Sequence, residues 1–221
     1  MLEKFKKQKK EEANLFDLNN QRAPEFISEY INYSEIKQVT DQVNALIEKQ
    51  NIKSLAILSE FTLEGKSFFA ASFGAAISKF YQKKVLLIDT CTTKDSFSSF
   101  LSPNKNQDPI IKKTMFDNFD IAYTKDFPQK GGEVTEYQID AIAKDYSEDY
   151  ALVIIDTTAF GVRNKNNAHP LVIARRCDSS ILVVSEITSN RKELDKFQLN
   201  LKDSHLNLLG VVYNDGVKHA T

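Results

Sequence analysis

The sequence has few cysteines and few glycines, and it has no long apolar run. Its 221 residues include two cysteines, Cys91 and Cys177, which lie in apolar-flanked segments without metal-ligand spacing. This usage is typical of reduced thiols and excludes a disulfide scaffold. No apolar run approaches the roughly 18 residues of a membrane span, and the N-terminus has no apolar signal-peptide core. We therefore expect a cytoplasmic protein.

An excess of charge of either sign is also missing. Lysine and arginine number 29 against 30 aspartate and glutamate residues, which gives a formal net charge of −1. This near-neutral balance provides no general attraction to nucleic acid, so we expect no nucleic-acid partner. Hydrophobic residues make up 42% of the chain and charged residues 27%, which is typical of a globular protein of one sizeable domain.

The N-terminal segment, residues 1–34, differs from the rest of the chain. It opens with five lysines within ten residues and continues as a polar stretch, which predicts a flexible basic arm. Two interpretations stay open: a solvated tail, or a contact with the anionic inner face of a membrane, where each basic residue contributes about 1 kcal/mol. Residues 35–221 are expected to form a single domain that begins with a helix over 35–49.

From residue 52 onward, apolar runs alternate with helical patterns. Helical spacing of apolar residues predicts helices over 66–81, 135–147, 168–176 and 190–203. Continuous β-branched and leucine runs predict strands buried on both faces, namely SLAILS (54–59), VLLID (85–89), ALVIID (151–156), SILVVS (180–185) and LLGVVYN (208–214). FDIAYT (119–124) is a candidate for a further short strand. The sequence therefore predicts an α/β fold, with a doubly wound, mostly parallel sheet and helices on both faces.

The stretch ILSEFTLEGKSFF, residues 57–69, has the context of a phosphate-binding loop. It follows a predicted strand, precedes a predicted helix and contains Gly65, Lys66 and Ser67. In such loops backbone N–H groups surround the phosphates, the lysine reaches the β- and γ-phosphates, and the hydroxyl binds Mg²⁺. The pattern G-x-x-x-x-G-K-[ST] would place a glycine where the chain has Glu60, so the match is partial and a chance occurrence stays open.

Two aspartates strengthen the hypothesis of a phosphate site. Asp89 and Asp156 each end an apolar run, where a carboxylate can also be an ordinary helix cap. Because the carboxyl ends of parallel strands meet at one edge of a sheet, both aspartates should lie beside Lys66 and Ser67. Asp156 would hold Mg²⁺ through water, and Asp89 would orient a hydroxyl nucleophile or support the metal.

Taken in order, these segments resemble the cytoplasmic domain of bacterial tyrosine kinases, a capsule and exopolysaccharide family within the ParA/MinD-like P-loop ATPases. The resemblance covers about residues 35–214 and rests on SEFTLEGKS, KKVLLID, DYALVIIDTTA, CDSSILVVS and LGVVYN. It implies a P-loop NTPase-like fold that binds ATP or ADP with Mg²⁺. It further implies phosphoryl transfer to tyrosine, a membrane polysaccharide co-polymerase as partner, and assembly into a homo-oligomer.

The resemblance also implies which residues form the site. Lys66, Asp89 and Asp156 would be catalytic, and Ser67 would hold Mg²⁺ together with the two aspartates. We expect the Glu64 carboxylate to face outward, because it would otherwise oppose the phosphates. For Asn214, contact with the base and a turn or cap role both stay open. The implied nucleotide contacts are Thr62, Leu63, Glu64, Gly65, Lys66, Ser67, Phe68 and Asn214.

Several departures from the family pattern favour an alternative, a catalytically impaired pseudo-kinase that serves as scaffold or regulatory partner of the co-polymerase. Thr62-Leu63 replaces Pro-Gly, and leucine is penalised if position 63 needs a positive φ. Cys91 stands where the family has the second carboxylate of a D-x-D motif. The family's C-terminal tyrosine cluster is absent, and we expect Tyr213 in the core. Phe61 replaces the signature lysine of MinD-like ATPases, which disfavours a positioning ATPase.

Overall fold

Strands and helices alternate along the part of the chain that the structure describes. The computed structural model describes residues 23–91, 101, 110–127, 136–162, 168–185 and 206–214. The helices in these ranges are α1 (Ala23–Tyr30), α2 (Ser34–Gln50), α3 (Lys66–Tyr81), α4 (Glu136–Tyr146) and α5 (Pro170–Ala174). The strands are β1 (Ser54–Leu58), β2 (Val85–Asp89), β3 (Ile111–Lys113), β4 (Phe119–Tyr123), β5 (Leu152–Asp156), β6 (Ser179–Ser185) and β7 (Leu208–Asn214).

The strands form one sheet in the order β3-β4-β2-β5-β1-β6-β7. Every neighbouring pair is parallel except β3 and β4, which are antiparallel. The carboxyl ends of the six mutually parallel strands therefore lie at one edge of the sheet, where ligands bind in folds of this kind. This topology confirms the predicted mostly parallel α/β sheet and brings the predicted site residues to the same edge.

Alternate residues of the central strands face two separate helical layers. Leu55 and Ile57 of β1 pack with buried residues of α1, α2 and α3, whereas Ala56 and Leu58 pack with α5 on the other face. All four side chains are fully buried, which is why the strand reads as a continuous apolar run. Helix α4 adds Ile139 to the second layer. The predicted helices on both faces are confirmed.

Helix α1 lies within the segment that the sequence assigned to a flexible arm. Its Ile27, and Ile31 just beyond it, are fully buried in the core that includes α3. The apolar positions of this short helix are interspersed with charged residues, so the composition of the segment reads as polar although one side of it packs on the domain. The lysine-rich residues 1–22 lie outside the described residues, as does the helix predicted over 190–203.

Strands β3 and β7 form the two margins of the sheet and differ from the sequence-based expectations. The sequence did not predict β3, because a three-residue strand containing Lys112 and Lys113 has no apolar run. Tyr213 on β7 is 59% exposed, so the expectation that it lies in the core is wrong. Strand β7 ends the described sheet and pairs only with β6, which leaves alternate side chains uncovered. Within the described residues, no helix has the length and hydrophobicity needed to cross a bilayer.

Candidate functional site

The loop that joins β1 to α3, residues 59–65 and here called the β1–α3 loop, contains two left-handed residues. Gly65 has φ 83° and Leu63 has φ 67°. A left-handed conformation costs a non-glycine residue about 1–2 kcal/mol, so the penalty expected for leucine at this position applies. The side chain of Leu63 is 92% exposed and gains nothing from burial that would offset this cost.

Hydrogen bonds from the segment after β5 and from the end of β7 hold the β1–α3 loop in place. The N–H of Phe160 donates to the Ser59 carbonyl at 3.0 Å, and the N–H of Gly161 donates to the Glu60 carbonyl at 2.9 Å. At the other end of the loop, Asn214 Nδ2 donates to the Glu64 carbonyl at 3.1 Å. The segment after β5 and the last residue of β7 therefore fix both halves of the loop.

The Glu64 carboxylate is turned into the protein, so the expectation that it faces outward is wrong. Glu64 is 1% exposed. Its Oε2 accepts the N–H of Phe61 at 2.9 Å, and its Oε1 accepts the N–H of Ser185 at 3.4 Å. Backbone N–H groups supply the hydrogen bonds that a buried carboxylate requires. This arrangement could not be predicted from the sequence, because Ser185 lies 121 residues away along the chain.

Lys66 begins α3 and forms a buried ion pair with Asp156. Lys66 Nζ lies 2.5 Å from Asp156 Oδ1, and the two side chains are 10% and 3% exposed. Helix α3 places Lys66 at the sheet edge because it starts directly after Gly65, whose left-handed backbone turns the chain into the helix. The pair leaves neither buried charge alone, which is the condition for keeping both ions inside a protein.

Asp89 and Asp156 are neighbours across two parallel strands. They occupy the same register at the ends of β2 and β5. Asp89 is fully buried, and its Oδ1 accepts the N–H of Cys91 at 2.7 Å, which ties the carboxylate to the turn after β2. Both the N–H and the hydroxyl of Thr90 donate to the Asp156 carbonyl, at 3.1 and 2.9 Å. The Asp89 carboxylate is therefore held by a backbone N–H group, whereas the Asp156 carboxylate is held by Lys66 and its main chain by Thr90.

Two residues at this edge were not identified from the sequence. Tyr123 ends β4 in register with Asp89, and burial together with the Asp89 carboxylate raises its pKa above the ordinary range. Thr158 is 7% exposed, and its hydroxyl has no hydrogen-bond partner within the described structure. The rule that identified Asp89 and Asp156, a polar side chain at the end of a buried strand, also applies to Tyr123.

The remaining predicted contacts have different surroundings. Ser67 is half-buried in the first turn of α3, and Thr62 is exposed in the β1–α3 loop. The ring of Phe68 packs against α1, with centroids 5.7 Å from Phe26 and 4.7 Å from Tyr30. Packing therefore occupies the Phe68 side chain, so any contact of this residue with a phosphate would come from its backbone.

Asn214 contacts the β1–α3 loop itself. A methyl group added at Gly65 would lie 2.3 Å from Asn214 Nδ2, so the two residues are in close contact. Together with its hydrogen bond to the Glu64 carbonyl, this contact makes Asn214 a brace of the loop in the described structure. The contact of Asn214 with a nucleotide base stays a prediction.

The oxygen ligands at the edge suit a metal that is shared with a ligand. No cluster of three or more His, Cys, Asp or Glu side chains suited to a metal ion occurs in the described ranges. Asp89, Asp156 and Ser67 offer carboxylate and hydroxyl oxygens, and Mg²⁺ ordinarily takes one or two carboxylates together with waters and phosphate oxygens. The residues therefore fit Mg²⁺ that arrives with a phosphate ligand.

Comparison with known proteins gives similarity in structure alone. No protein-family model matches the sequence, and no curated protein sequence matches it. Among solved structures, the chimerical protein CapA2B2 is 17% identical, with a TM-score of 0.68 over 88% of this chain and 88% of that one. The kinase domain of the Escherichia coli tyrosine kinase ETK is 16% identical, with a TM-score of 0.61 over 81% and 74%.

A third solved structure is the septum site-determining protein MinD of Pyrococcus horikoshii, complexed with Mg-ADP. It is 18% identical, with a TM-score of 0.56 over 73% of this chain and 69% of that one. The chain has an α/β fold like that of P-loop NTPases. The resemblance to bacterial tyrosine kinase domains and to MinD-like ATPases is thereby confirmed at the level of fold.

Proposed function

We propose that the chain binds ATP or ADP with Mg²⁺ at the β1–α3 loop and acts as a tyrosine-kinase-like protein in polysaccharide synthesis or export. The observation that carries the proposal is the convergence of Lys66, Asp156 and Asp89 on one edge of a P-loop fold. Lys66 and Asp156 are in contact at 2.5 Å, and the two aspartates share one register. Positioned charges of this kind are the main requirement for phosphoryl transfer.

The Lys66–Asp156 pair is compatible with nucleotide binding because both charges can exchange partners together. The Lys66 ammonium would donate hydrogen bonds to a nucleotide phosphate. Mg²⁺ would then replace the ammonium as the counter-charge of Asp156. Neither buried charge would then be left without a counter-charge. Ser67 would provide its hydroxyl as a ligand of the metal, and Asp89 would orient a hydroxyl nucleophile or support the metal. Binding should therefore depend strongly on Mg²⁺ being supplied with the nucleotide.

The cellular role follows from the resemblance in sequence order and in fold. A membrane polysaccharide co-polymerase is the proposed partner, and a homo-oligomer is the proposed assembly. The lysine-rich residues 1–22 support a location at the inner face of a cytoplasmic membrane, because basic side chains are attracted to anionic lipids. Nucleotide binding would then act as a switch on contact with the co-polymerase.

A catalytically impaired pseudo-kinase is the second candidate, and two observations favour it. Leu63 holds a strained conformation in the loop that must surround the phosphates. Asp89 Oδ1 is occupied by the N–H of Cys91, and no second carboxylate stands at position 91 to share a metal. Such a protein would bind nucleotide as a scaffold without transferring the phosphoryl group.

Calorimetry with MgADP and MgATP tests the proposal. The unaltered chain should bind both, and Lys66→Ala should abolish binding. Ser67→Ala should weaken binding without breaking the buried ion pair, which covers the case in which Lys66→Ala does not fold. Lys79→Ala is the matched control, because Lys79 is an exposed lysine near the other end of α3.

The same preparations then distinguish the two candidates. Transfer of phosphate from radiolabelled ATP to protein tyrosine would establish the kinase, whereas binding without transfer would support the pseudo-kinase. If the unaltered chain bound neither nucleotide, both candidates would be rejected.

A further inference from the structure

We infer that Glu64 is a positioning residue of the nucleotide site: its buried carboxylate holds the β1–α3 loop in the shape that a glycine at position 63 would otherwise permit. The inference rests on the proposed function, since it assigns to Glu64 an effect on nucleotide affinity. It also reverses the expected effect of the charge, because a carboxylate beside phosphates is ordinarily unfavourable.

The first step is the hydrogen bond within the loop. Glu64 Oε2 accepts the Phe61 N–H at 2.9 Å, which closes a ring around Thr62 and Leu63. This bond fixes the reversal of the chain in which Leu63 adopts φ 67°. Residues in sparsely populated backbone regions persist only where their surroundings hold them. The exposed Leu63 side chain provides no such hold, so the Glu64 carboxylate is the group placed to supply it.

The second step is the connection to the sheet. Glu64 Oε1 accepts the N–H of Ser185, the last residue of β6, at 3.4 Å. The backbone carbonyl of Glu64 accepts a hydrogen bond from Asn214 Nδ2, at the end of β7, at 3.1 Å. Residue 64 is therefore fastened to two strands, one through its carboxylate and one through its backbone. A loop fastened in this way is ordered before a ligand arrives, which lowers the entropic cost of binding.

The third step concerns where the charge is directed. With 1% exposure, the carboxylate is removed from solvent and accepts backbone N–H groups on both oxygens. Hydrogen bonds from N–H groups offset the negative charge locally. Replacing the carboxylate with an amide would set an NH₂ group against one of these N–H donors, so Glu64→Gln removes the hold with almost no change in size.

The test compares MgADP affinity, measured by calorimetry, for the unaltered chain, Glu64→Gln, Leu63→Gly and the double variant Glu64→Gln/Leu63→Gly. Glu64→Gln should weaken binding about tenfold or more, since hydrogen bonds to a charged group are lost. The double variant should recover most of that loss, because glycine adopts positive φ without strain. This rescue is the specific signature of a residue that acts through the backbone of its neighbour.

Asp120→Asn is the control for loss of a buried carboxylate. Asp120 is 2% exposed, accepts Tyr150 Oη and Lys113 Nζ, and lies near the start of β4, away from the site. It should lower the melting temperature and leave MgADP affinity unchanged. Equal or tighter binding by Glu64→Gln, or weaker binding without rescue by Leu63→Gly, would overturn the inference while the proposed function stands.

Amide hydrogen exchange separates failure of the inference from failure of the proposed function. In the nucleotide-free protein, Glu64→Gln should speed exchange of the Phe61 and Ser185 N–H groups by about tenfold, whereas Asp120→Asn should not. If the unaltered chain bound no MgADP, the proposed function would be overturned and affinity would no longer be a readout. Unchanged exchange at both amides would show that Glu64 does not hold the loop.

Discussion

Lys66 Nζ and Asp156 Oδ1 lie 2.5 Å apart in a part of the sheet edge that is almost closed to solvent. Removing one partner of such a pair leaves a buried charge alone, at a cost of about 3–5 kcal/mol. We therefore expect Lys66→Met and Asp156→Asn each to lower the free energy of unfolding by an amount in this range. The double variant should be more stable than either single variant, as measured by chemical denaturation.

The pair Lys112–Asp126 is the comparison for this cycle. These side chains are 20% and 26% exposed, so their coupling should be much smaller than that of Lys66 and Asp156. Additive effects of Lys66→Met and Asp156→Asn would contradict the structural interpretation, because a direct ion pair must give a coupling free energy.

Leu63→Gly should stabilise the fold slightly. Glycine relieves the left-handed strain of about 1–2 kcal/mol. Its greater freedom in the unfolded chain destabilises the fold by roughly 0.5–1 kcal/mol, which offsets part of this stabilisation. The side chain that is lost is 92% exposed, so no core packing is removed. Thermal unfolding of the nucleotide-free protein measures the difference.

Replacing Leu46 with glycine should instead destabilise the fold. Leu46 lies inside α2 and is 36% exposed, and glycine in a helix interior costs about 1 kcal/mol before any loss of packing. A lower melting temperature for both variants would show that Leu63 is not strained.

Gly65→Ala should be strongly unfavourable. The new methyl group would lie 2.3 Å from Asn214 Nδ2 and would stand on a residue with φ 83°. We expect a loss of about 1–3 kcal/mol, since strained backbone and overpacking each contribute on this scale. Adding Asn214→Ala should remove the clash and leave the backbone strain, so it should restore only part of the loss.

Gly210→Ala, within β7, is the control for replacing a glycine with alanine at a position without a close contact. A methyl group at Gly210 would meet no atom of the described residues within 4 Å, so this variant should unfold within about 0.5 kcal/mol of the unaltered chain. Equal losses for Gly65→Ala and Gly210→Ala would contradict the close contact between Gly65 and Asn214.

Stability should fall as the solution becomes alkaline, and Cys177 should contribute to the fall. Burial, with a smaller effect of the Asp178 carboxylate, raises the pKa of the Cys177 thiol from 9.0 to about 12. Between these values the unfolded chain releases the thiol proton and the folded chain keeps it, so rising pH favours unfolding. Denaturation measured from pH 8 to pH 11 should show this decrease.

Cys177→Ala should make the decrease in stability with rising pH less steep. Thiol labelling at pH 8 gives an independent check, since the thiolate is the reactive form. Cys177 is partly buried, and its raised pKa should make it react more slowly in the folded protein than in the unfolded chain. Rapid labelling of Cys177 in the folded protein would contradict the raised pKa.

The interior of the sheet was predictable from the sequence, whereas its margins were not. The strand predicted over 85–89 is β2 to the residue, and the helix predicted over 66–81 is α3 to the residue. Strands covered on both faces consist of continuous apolar residues, so the first and last residues of the run mark the ends of the strand. The two-lysine strand β3 and the partly exposed β7 have no such constraint, which is why β3 was missed and Tyr213 was misplaced.

At the site, the elements were predictable and the direction of side chains was not. Asp89 and Asp156 were placed at one edge because parallel strands align their carboxyl ends, and the register confirms this. The inward turn of Glu64 depends on the Ser185 N–H, a backbone group that every sequence contains and no pattern reveals. The position of α1 depends on two isoleucines whose burial becomes visible only when α3 is present beside them.

The attachment of the β1–α3 loop to β7 links the site to the local stability of the sheet margin. Strand β7 pairs with one neighbour and ends at Asn214, whose amide holds the Glu64 carbonyl. Marginal strands open transiently at a lower free energy than the whole domain unfolds. Each such opening would release Asn214 from the loop while the central strands stay paired. Fraying of β7 would therefore remove one of the contacts that hold the β1–α3 loop, while the Phe160 and Gly161 N–H groups keep theirs.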